Sequence, residues 1–398
     1  MKILHTGDLH LGSFPGPETD GENVRFLDIC NCLDTMLTEA QQERPDIAVI
    51  AGDIFHQARV WSDRGLKEQQ TAVKFLRELA AICPVVVMRG TPNHDSEQQF
   101  STLANTFEAS GEVKIITEPQ VAKIYTGAWG WVNVACVPGF DRGYYRAQHP
   151  GLSSEEENEV FTKAIEDIII GLKAKCEPGI PSVLMGHFTI TGANMESGQT
   201  AFFSQFEPVV YPATLAAADF DLVCFGHIHR PQQLDDCKNT FYCGAVSQLN
   251  FNDEGQERGY YIHDIDHSSR AVTSTFRPLP TRKHLTIRLN DDDVRELNEK
   301  GEDWEVPAID SANIPGKIIR VLYDCTDEHN KAFNHGALQN YLYASGAFWV
   351  QEITPQKITI TVDRRSMDTD GTPESNLTDY LTEKGMEPER IGELMELA

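Results

Sequence analysis

The chain has 398 residues, of which 40% are hydrophobic and 24% charged, and its formal net charge is -26. This length and composition fit a soluble globular protein with one large core and room for one or two smaller modules. The negative charge excludes broad, non-specific adhesion to nucleic acid, because such binding depends on Lys and Arg side chains that neutralise phosphates.

The N-terminal segment has neither the long apolar stretch nor the small-residue cleavage site of a secretion signal. Apolar runs elsewhere have the length of strands, so we expect no membrane span. The nine cysteines lack a repeated C-x-x-C spacing, which fits neither a disulfide framework nor a zinc ribbon. We therefore expect reduced thiols and a cytoplasmic location.

Up to about residue 280, short apolar runs alternate with longer amphipathic stretches, which is typical of a layered α/β domain. Five predicted strands each run into a polar motif: 2–6 into Gly7-Asp8, 46–51 into Gly52-Asp53, 84–88 into a Gly-Thr-Pro-Asn-His turn, 181–185 into Gly186-His187, and 221–225 into Gly226-His227. Helices are predicted at 23–43, 66–82, 97–109 and 154–175. Sites in open α/β sheets form beyond the ends of such strands.

The pattern changes after Pro278 and Pro280. Alternating residues predict strands at 285–289, 318–322 and 358–362, with a helix at 331–344 between the last two. We therefore expect a large first domain over 1–280, a small β-α-β domain over 281–365, and a linker with helices over 366–398.

The segment 366–398 contains nine acidic and two basic residues. Two apolar triplets at helical spacing predict short amphipathic helices: Leu377, Tyr380 and Leu381, then Ile391, Leu394 and Met395. Short helices of this kind cannot bury their apolar faces alone, so we expect them to dock on a partner or on the body of the chain. A solvated, frayed tail is the alternative.

Metal-capable side chains recur just after the predicted strands. Asp8-Leu9-His10 puts a carboxylate and an imidazole two residues apart, where both can face one cavity. The other strand ends add Asp53, then Asn93 and His94, then His187, and finally His227 and His229. A single histidine of this kind is more often structural, but five such strand ends in one chain indicate a metal centre.

The predicted metal ligands are two carboxylates, one amide and four imidazoles: Asp8, His10, Asp53, Asn93, His187, His227 and His229. This set favours Mn²⁺, with Mg²⁺ or Fe as alternatives, over a structural zinc. Seven ligands suffice for two cations about 3.5 to 4 Å apart with a shared bridging ligand. Such a pair polarises a phosphate and activates water, so the sequence predicts phosphoester hydrolysis.

The series Asp-x-His, Gly-Asp, Asn-His-Asp, Gly-His and Gly-His-x-His resembles the calcineurin-like metallophosphoesterase superfamily, over residues 1 to about 280. The opening Ile-Leu-His-Thr-Gly-Asp-Leu-His-Leu-Gly and the segment Gly-Asp-Ile-Phe-His are similar to the SbcD family, bacterial relatives of the eukaryotic double-strand-break nuclease. Phosphoprotein phosphatases carry Gly-Asp-x-x-Asp-Arg-Gly instead, a segment that this chain lacks at Gly52 to Ala58.

The resemblance implies a four-layer α-β-β-α sandwich, which forms the nuclease domain, with a small β-α-β capping domain and a C-terminal helical tail. It also implies which residues share a cation: Asp8, His10 and His229 hold one, Asn93, His187 and His227 hold the other, and Asp53 bridges them.

The resemblance further implies two catalytic residues. His94 matches the imidazole that protonates the leaving oxygen or stabilises developing charge, and His56 matches the residue that orients it. One departure concerns the turn before His94. Relatives often read Gly-Asn-His, whereas Thr91-Pro92 separates Gly90 from Asn93 here.

The leading hypothesis is a Mn²⁺-dependent DNA exonuclease and endonuclease that acts at DNA ends in repair and recombination. The resemblance implies a homodimer and an SbcC-type ATPase partner bound through the C-terminal helices. Candidate DNA contacts are Arg59, Arg64, Arg89, Arg142 and Arg230. Two alternatives stay open: a phosphodiesterase for small nucleotides, and a scaffold without metals that binds DNA ends or an ATPase.

Overall fold

The computed structural model describes residues 1–58, 63–140, 146–147, 151–195, 209–300, 309–359, 372, 377–378, 381–382, 386 and 388–395. The chain forms two compact units. The first combines Met1–Arg288, Pro307–Leu322 and His335–Thr354, and the second combines Leu289–Val306, Tyr323–Asn334 and Pro355–Ala398. The domain boundaries near residues 280 and 365 stay predictions.

The strands, in chain order, are β1 (Lys2–Thr6), β2 (Glu18–Thr19), β3 (Glu22–Asn23), β4 (Ile47–Ala51), β5 (Val85–Met88), β6 (Val113–Ile116), β7 (Gln120–Tyr125), β8 (Trp131–Val137), β9 (Ser182–His187), β10 (Thr189–Ile190), β11 (Val209–Val210), β12 (Leu222–Gly226), β13 (Gln232–Gln233), β14 (Thr240–Tyr242), β15 (Gly259–Ile265), β16 (Val272–Pro278), β17 (His284–Leu289), β18 (Ile318–Thr326) and β19 (Trp349–Thr359). The helices are α1 (Val24–Glu43), α2 (Asp63–Ala80), α3 (Glu97–Phe107), α4 (Ser154–Lys175), α5 (Pro212–Ala218), α6 (Asp291–Lys300), α7 (Asp327–Ala332), α8 (His335–Ala344) and α9 (Pro388–Met395).

Two six-stranded sheets dominate the first unit. The first sheet has the order β16-β15-β1-β4-β5-β6, and the second has the order β13-β14-β12-β9-β8-β7. The central strands run parallel, and antiparallel pairs β1–β15 and β7–β8 lie toward the sheet edges. Every residue of β4, β5 and β9 is buried, as expected for parallel strands covered on both faces.

Alternating residues of the strands serve two cores. Leu4, Ala48 and Ile50 pack with apolar residues of α1, α2 and α3. Their neighbours Ile3 and Val49 point to the other face, where they pack with residues of the second sheet. Since successive side chains of a strand point to opposite faces, one strand contributes to both layers. Each fully buried aliphatic side chain contributes about 1.5 to 3 kcal/mol.

Helix α4 covers the outer face of the second sheet. Phe161, Ile165 and Ile169 pack against strand residues that include Leu184 and Phe225. The order of layers is therefore helices, sheet, sheet, helix. The α/β class and the four-layer α-β-β-α sandwich that the resemblance implies are confirmed.

Helix starts follow local capping chemistry. Ser153 accepts from the backbone N–H of Glu156, whose side chain accepts from the backbone N–H of Ser153, so α4 begins where the sequence predicts. Ser96 and Gln99 form the same reciprocal pair at α3. No helix among the described residues is both long enough and apolar enough to cross a bilayer.

The three-stranded sheet β17-β18-β19 follows the two large ones in the chain. The helix predicted over 331–344 is interrupted. Its first residues end α7, where Phe333 forms the C-cap with an extended backbone, φ -71° and ψ 117°, and the rest forms α8. The ring of Phe333 packs edge-on against Tyr323 at 4.9 Å between ring centres. Of the predicted strand 358–362, residues 358–359 lie in β19, which begins earlier than predicted, at Trp349, and residues 360–362 lie outside the described residues.

Candidate metal centre

The loops that follow strands of both sheets meet at one place. The backbone N–H of Asp8 donates to the carbonyl of Gly52 at 2.9 Å, and that of His10 donates to the carbonyl of Asp53 at 3.0 Å. From the second sheet, the backbone N–H of His227 donates to both carboxylate oxygens of Asp8 at 3.0 Å. These bonds join the loops after β1, β4 and β12 at the strand ends, where α/β folds build their sites.

The backbone is strained at four predicted ligands. Asp8, His10, Asp53 and His227 have positive φ values of 46°, 47°, 49° and 88°. Such conformations cost a non-glycine residue of order 1 to 3 kcal/mol and persist only where surrounding structure enforces them. Here the hydrogen bonds between the loops enforce them. Strain of this kind concentrates at functional sites.

Gly52 allows the loops to approach closely. Its φ is 91°, and a Cβ atom there would lie 2.5 Å from Nδ1 of His187 and 2.6 Å from Cα of Gly90. Any side chain at this position would therefore clash with His187 and with the backbone of Gly90. The glycine before Asp53 is therefore required by space as well as by conformation.

Asp8, His10 and His229 form the first half-site, with one ligand atom from each lying within 4.8 Å of the others. Nε2 of His10 lies 3.0 Å from Nε2 of His229. Nδ1 of His10 is buried and has no hydrogen-bond partner among the described residues. Two imidazole nitrogens that face each other beside a carboxylate suit a shared cation.

The pair His187 and His227, which the resemblance assigns to the other cation and which we call the second half-site, has ring centres 5.1 Å apart. Nδ1 of His187 lies 2.6 Å from the carbonyl of Ala51. Because a carbonyl only accepts, Nδ1 carries the proton and Nε2 presents a lone pair in the neutral ring. That Nε2 is buried and faces Oδ1 of Asp53 at 3.3 Å.

Asp53 lies between the two half-sites. Its Oδ1 is 3.3 Å from Nε2 of His187, and its Oδ2 is 3.9 Å from Nε2 of His10. The two oxygens of one carboxylate thus face different sets of imidazoles. This is the arrangement that a bridging ligand requires.

Burial and mutual charge shift the pKa values of this cluster strongly. Burial raises the pKa of Asp8 to about 8. Burial also opposes ionisation of Asp53, but the charge and hydrogen bond of His187, together with the charges of His94 and His10, outweigh it and hold the pKa of that carboxyl well below its usual range. In turn, burial disfavours charge on His187, yet Asp53 raises the pKa of that imidazole to about 10.

These residues fit a pair of divalent cations. The carboxylates are crowded and buried, and Nε2 of His10 and Nε2 of His187 face the two oxygens of Asp53. Cations would neutralise the carboxylates and occupy the lone pairs that face them. Oxygen and imidazole donors without thiolate suit Mn²⁺, Mg²⁺ or Fe.

His94 lies at the rim of the first half-site. Its Nδ1 lies 2.6 Å from the backbone carbonyl of His56, and its ring centre lies 4.7 Å from that of His10. The carbonyl fixes the proton on Nδ1, so Nε2 is the nitrogen that can exchange a proton with a substrate. His56 therefore orients His94 through its main chain, while its ring packs against Phe14 at 4.2 Å between ring centres.

In the 90–95 turn, the side chain that contacts Asp53 is that of Thr91 and not that of the predicted ligand Asn93. The carboxylate of Asp95 accepts from the backbone N–H groups of Gly90 at 2.8 Å and Phe55 at 3.1 Å. The backbone N–H and hydroxyl of Thr91 donate to Oδ1 of Asp53 at 2.7 and 3.0 Å. Asn93 is exposed, and no hydrogen bond of its side chain occurs within the described ranges.

The sequence predicted no role for Thr91 and offered Asp95 only as a metal-capable carboxylate of the turn. Asp95 closes the turn, and burial raises the pKa of its carboxyl to about 7. One feature of the sequence could have pointed to Thr91. Two residues separate Gly90 from Asn93, so Thr91 is the first side chain after that glycine.

A second buried histidine group, His5 with His263 and Cys224, lies between the sheets. Nδ1 of His5 is 3.1 Å from Nε2 of His263, and Nε2 of His5 is 3.2 Å from the carbonyl of Phe225. Nδ1 of His263 is 2.7 Å from the hydroxyl of Ser274. Every ring nitrogen has a partner, so we assign this group to the core.

The predicted DNA contacts are only partly described. Arg59, Arg142 and the side chain of Arg64 lie outside the described residues. Arg230 is exposed, and Arg89 is half-buried beside the 90–95 turn. The assignment of these arginines to DNA stays a prediction.

Comparison with known proteins identifies the family. A family model described as calcineurin-like phosphoesterase matches residues 1–231. The chain belongs to the calcineurin-like phosphoesterase family. Its reaction class is therefore the hydrolysis of phosphoesters. Members of this family use a dimetal centre, and this chain has clustered His and Asp residues that could hold metal ions.

The chain is also similar to individual proteins. The SbcD component of the SbcCD nuclease of Staphylococcus epidermidis is 24% identical over 302 residues, which cover 72% of this chain and 72% of that protein. A dimetal phosphatase from Danio rerio aligns with a TM-score of 0.39 and 10% identity, over 70% of this chain and 96% of that one. A calcineurin-like phosphoesterase from Bacillus subtilis aligns with a TM-score of 0.33 and 11% identity, over 71% and 93%.

Proposed function

We propose that this calcineurin-like phosphoesterase is a Mn²⁺-dependent DNA exonuclease and endonuclease that acts at DNA ends. The observation that carries the proposal is the position of Asp53, whose two oxygens face His187 and His10 in different half-sites. Such a carboxylate supports two cations at once, which is the requirement of two-metal phosphodiester hydrolysis.

The chain's own residues divide the work. Asp8, His10 and His229 would hold one cation, and His187 and His227 would hold the other with a neutral oxygen that the sequence assigns to Asn93. When bound, the cations polarise the phosphate and lower the pKa of water. Asp53 spaces the two half-sites, and the strained loops keep both carboxylates in position without substrate.

His94 moves the proton. Its Nδ1–H donates to the carbonyl of His56, so the proton that the imidazolium form carries on Nε2 is the one given to the leaving oxygen, and the same Nε2–H stabilises charge on that oxygen. Its partial exposure at the rim fits a residue that meets a polymeric substrate.

Support for DNA as substrate comes from the relative in Staphylococcus epidermidis that is named as part of the SbcCD nuclease. We propose an analogous assembly, with a second copy of this chain and an SbcC-type ATPase that binds the C-terminal helices, of which Pro388–Met395 is described. Nine free cysteines fit the reducing cytosol that we propose as its location.

Incubation with Mn²⁺ and duplex DNA labelled at either the 5′ or the 3′ end tests the proposal. Bis-p-nitrophenyl phosphate and cyclic nucleotides serve as small substrates in parallel. We expect release of short labelled products from DNA. Cleavage of the small esters with intact DNA would replace this proposal with a small-nucleotide phosphodiesterase, and a folded sample that binds no Mn²⁺ would point to a scaffold without metals.

A further inference from the structure

The 90–95 turn presents a different side chain to the metal centre than the sequence suggests. Asp95 ties down the turn through Gly90 and Phe55, with donor–acceptor distances of 2.8 and 3.1 Å. Gly139 packs so closely that a Cβ atom on it would lie 2.3 Å from the carbonyl oxygen of Gly90. The start of the turn, where Thr91 lies, is therefore fixed from three directions.

Thr91 and His187 meet at the same atom of Asp53. Oδ1 of Asp53 is 3.0 Å from the hydroxyl of Thr91, 2.7 Å from the backbone N–H of Thr91, and 3.3 Å from Nε2 of His187. The hydroxyl thus lies on the side of Asp53 that faces the second half-site. Thr91 is where a neutral oxygen would complete that half-site.

Asn93 is poorly placed for this role. Its side chain is exposed, while its backbone carbonyl accepts from the N–H of Ala58 at 3.0 Å. That bond anchors the main chain of Asn93 toward the 52–58 loop. Pro92 stiffens the connection, because proline fixes its own φ and restricts the preceding residue to extended conformations.

We propose that Thr91, and not Asn93, supplies the neutral oxygen ligand of the second half-site. The proposal rests on the two-cation centre of the proposed function. A hydroxyl donates one hydrogen bond and keeps lone pairs, so Thr91 can donate to Asp53 and still coordinate a hard cation. Threonine and serine hydroxyls coordinate Mg²⁺ in the same manner in phosphate-binding loops.

The test compares Mn²⁺ binding by the full-length protein and four variants. Thr91→Val removes the hydroxyl at nearly constant shape and keeps the backbone N–H, whereas Thr91→Ser restores the hydroxyl. Asn93→Ala removes the competing amide. Thr102→Ala is the matched control, because Thr102 is exposed on α3 and its hydroxyl donates to the carbonyl of Gln98, within its own helix.

Equilibrium dialysis with metal analysis gives stoichiometry and affinity, and electron paramagnetic resonance reports whether two Mn²⁺ ions are coupled. We expect two coupled ions in the wild type, Thr91→Ser, Asn93→Ala and Thr102→Ala. In Thr91→Val the second ion should bind at least about tenfold more weakly, with loss of the coupled signal. Circular dichroism of the metal-free proteins checks that each variant folds.

Other outcomes overturn the proposal in distinguishable ways. Loss of one ion from Asn93→Ala with two ions in Thr91→Val would return the ligand to Asn93. Two ions with wild-type affinity in both variants would remove both residues from the coordination sphere. A wild type that binds no Mn²⁺ would defeat the proposed function itself. If Thr91→Val does not fold, Thr91→Ala and Asn93→Ala give the same comparison.

Discussion

Two groups of buried histidines lie within a few residues of each other along the same strands, yet they differ in one respect. In the His5–His263 group, a carbonyl, an imidazole and a hydroxyl satisfy every ring nitrogen. At the metal centre, Nδ1 of His10 has no partner among the described residues, and Nε2 of His187 faces a carboxylate that it shares with His10. Buried polar atoms without partners are rare in folded proteins. The comparison teaches that the partners of the ring nitrogens, carboxylates in one group and neutral acceptors or donors in the other, separate the two groups, and the number of histidines does not.

The satisfied group forms a directed chain of hydrogen bonds. The carbonyl of Phe225 can only accept, so Nε2 of His5 carries the proton and Nδ1 of His5 accepts from His263. His263 then accepts from the hydroxyl of Ser274. A cation would have to break this chain, so we expect the group to bind none.

The largest effect should follow from Asp53→Ala. It removes the carboxylate between both half-sites, so both cations should be lost and cleavage should fall to background. Metal analysis of the purified variant and the labelled-DNA assay measure the two effects. Asp46→Ala is a control, because Asp46 also adjoins β4 but accepts from the backbone N–H of Lys2, at the opposite end of the strand. Retention of both ions in Asp53→Ala would contradict the bridging role.

His94→Gln should separate chemistry from coordination. We expect both cations to remain, while kcat falls by about 10² to 10⁴ because proton transfer is lost. The check is metal content together with kcat on DNA and on a p-nitrophenyl ester, whose good leaving group needs less protonation. A variant that loses both metals would show that His94 is a ligand instead.

Substitution in the satisfied group should affect stability alone. His263→Ala leaves the nitrogen of His5 without a buried partner, which costs about 1 to 3 kcal/mol. Urea unfolding measures that loss, and metal analysis should still give two ions per chain. If the variant lost a cation at unchanged stability, the contrast between the two groups would fail.

The pH dependence of stability gives a finer test. Burial lowers the pKa of His5 to about 3. The unfolded chain, with a pKa of about 6.5, therefore takes up this proton first as the pH falls. The contribution to stability is complete above about pH 6.5 and is lost as the pH falls toward 3, roughly 2 kcal/mol between pH 7 and 5.

Urea unfolding of the metal-free protein at pH 7 and pH 5 measures this effect. His5→Gln should show a smaller loss of stability between the two values than the wild type does. Equal losses in both proteins would mean that His5 is not neutral in the folded state.

Much of the fold could be predicted from the sequence because its signals are local. The strand Lys2–Thr6 and the helix Ser154–Lys175 have the predicted bounds, since apolar runs and the Ser153 cap define them within a few residues. The antiparallel neighbour of β1 could not be predicted. β15 lies more than 250 residues along the chain, and pairing across that distance depends on the whole core.

The site also has residues that local sequence signals predict and contacts that only the tertiary structure determines. Asp8, Asp53 and His187 follow strongly apolar strands, so their positions at the sheet edge followed from the strands themselves. The side chain nearest Asp53 in the 90–95 turn could not be read from spacing, because it depends on how Asp95 closes the turn. Likewise, the hydrogen bond that His94 makes with His56 goes to a backbone carbonyl, which no side-chain motif encodes.

The left-handed backbone at Asp8, His10, Asp53 and His227 has a consequence for how such a protein can change over time. Hydrogen bonds of the main chain, which do not depend on side-chain identity, hold three of these four bends. A substitution of Asp8 or Asp53 by Asn would therefore leave the side-chain oxygen that faces the cation in place and would change only the charge of the side chain. The metal that the centre prefers can therefore change during evolution without a change in the backbone of these loops.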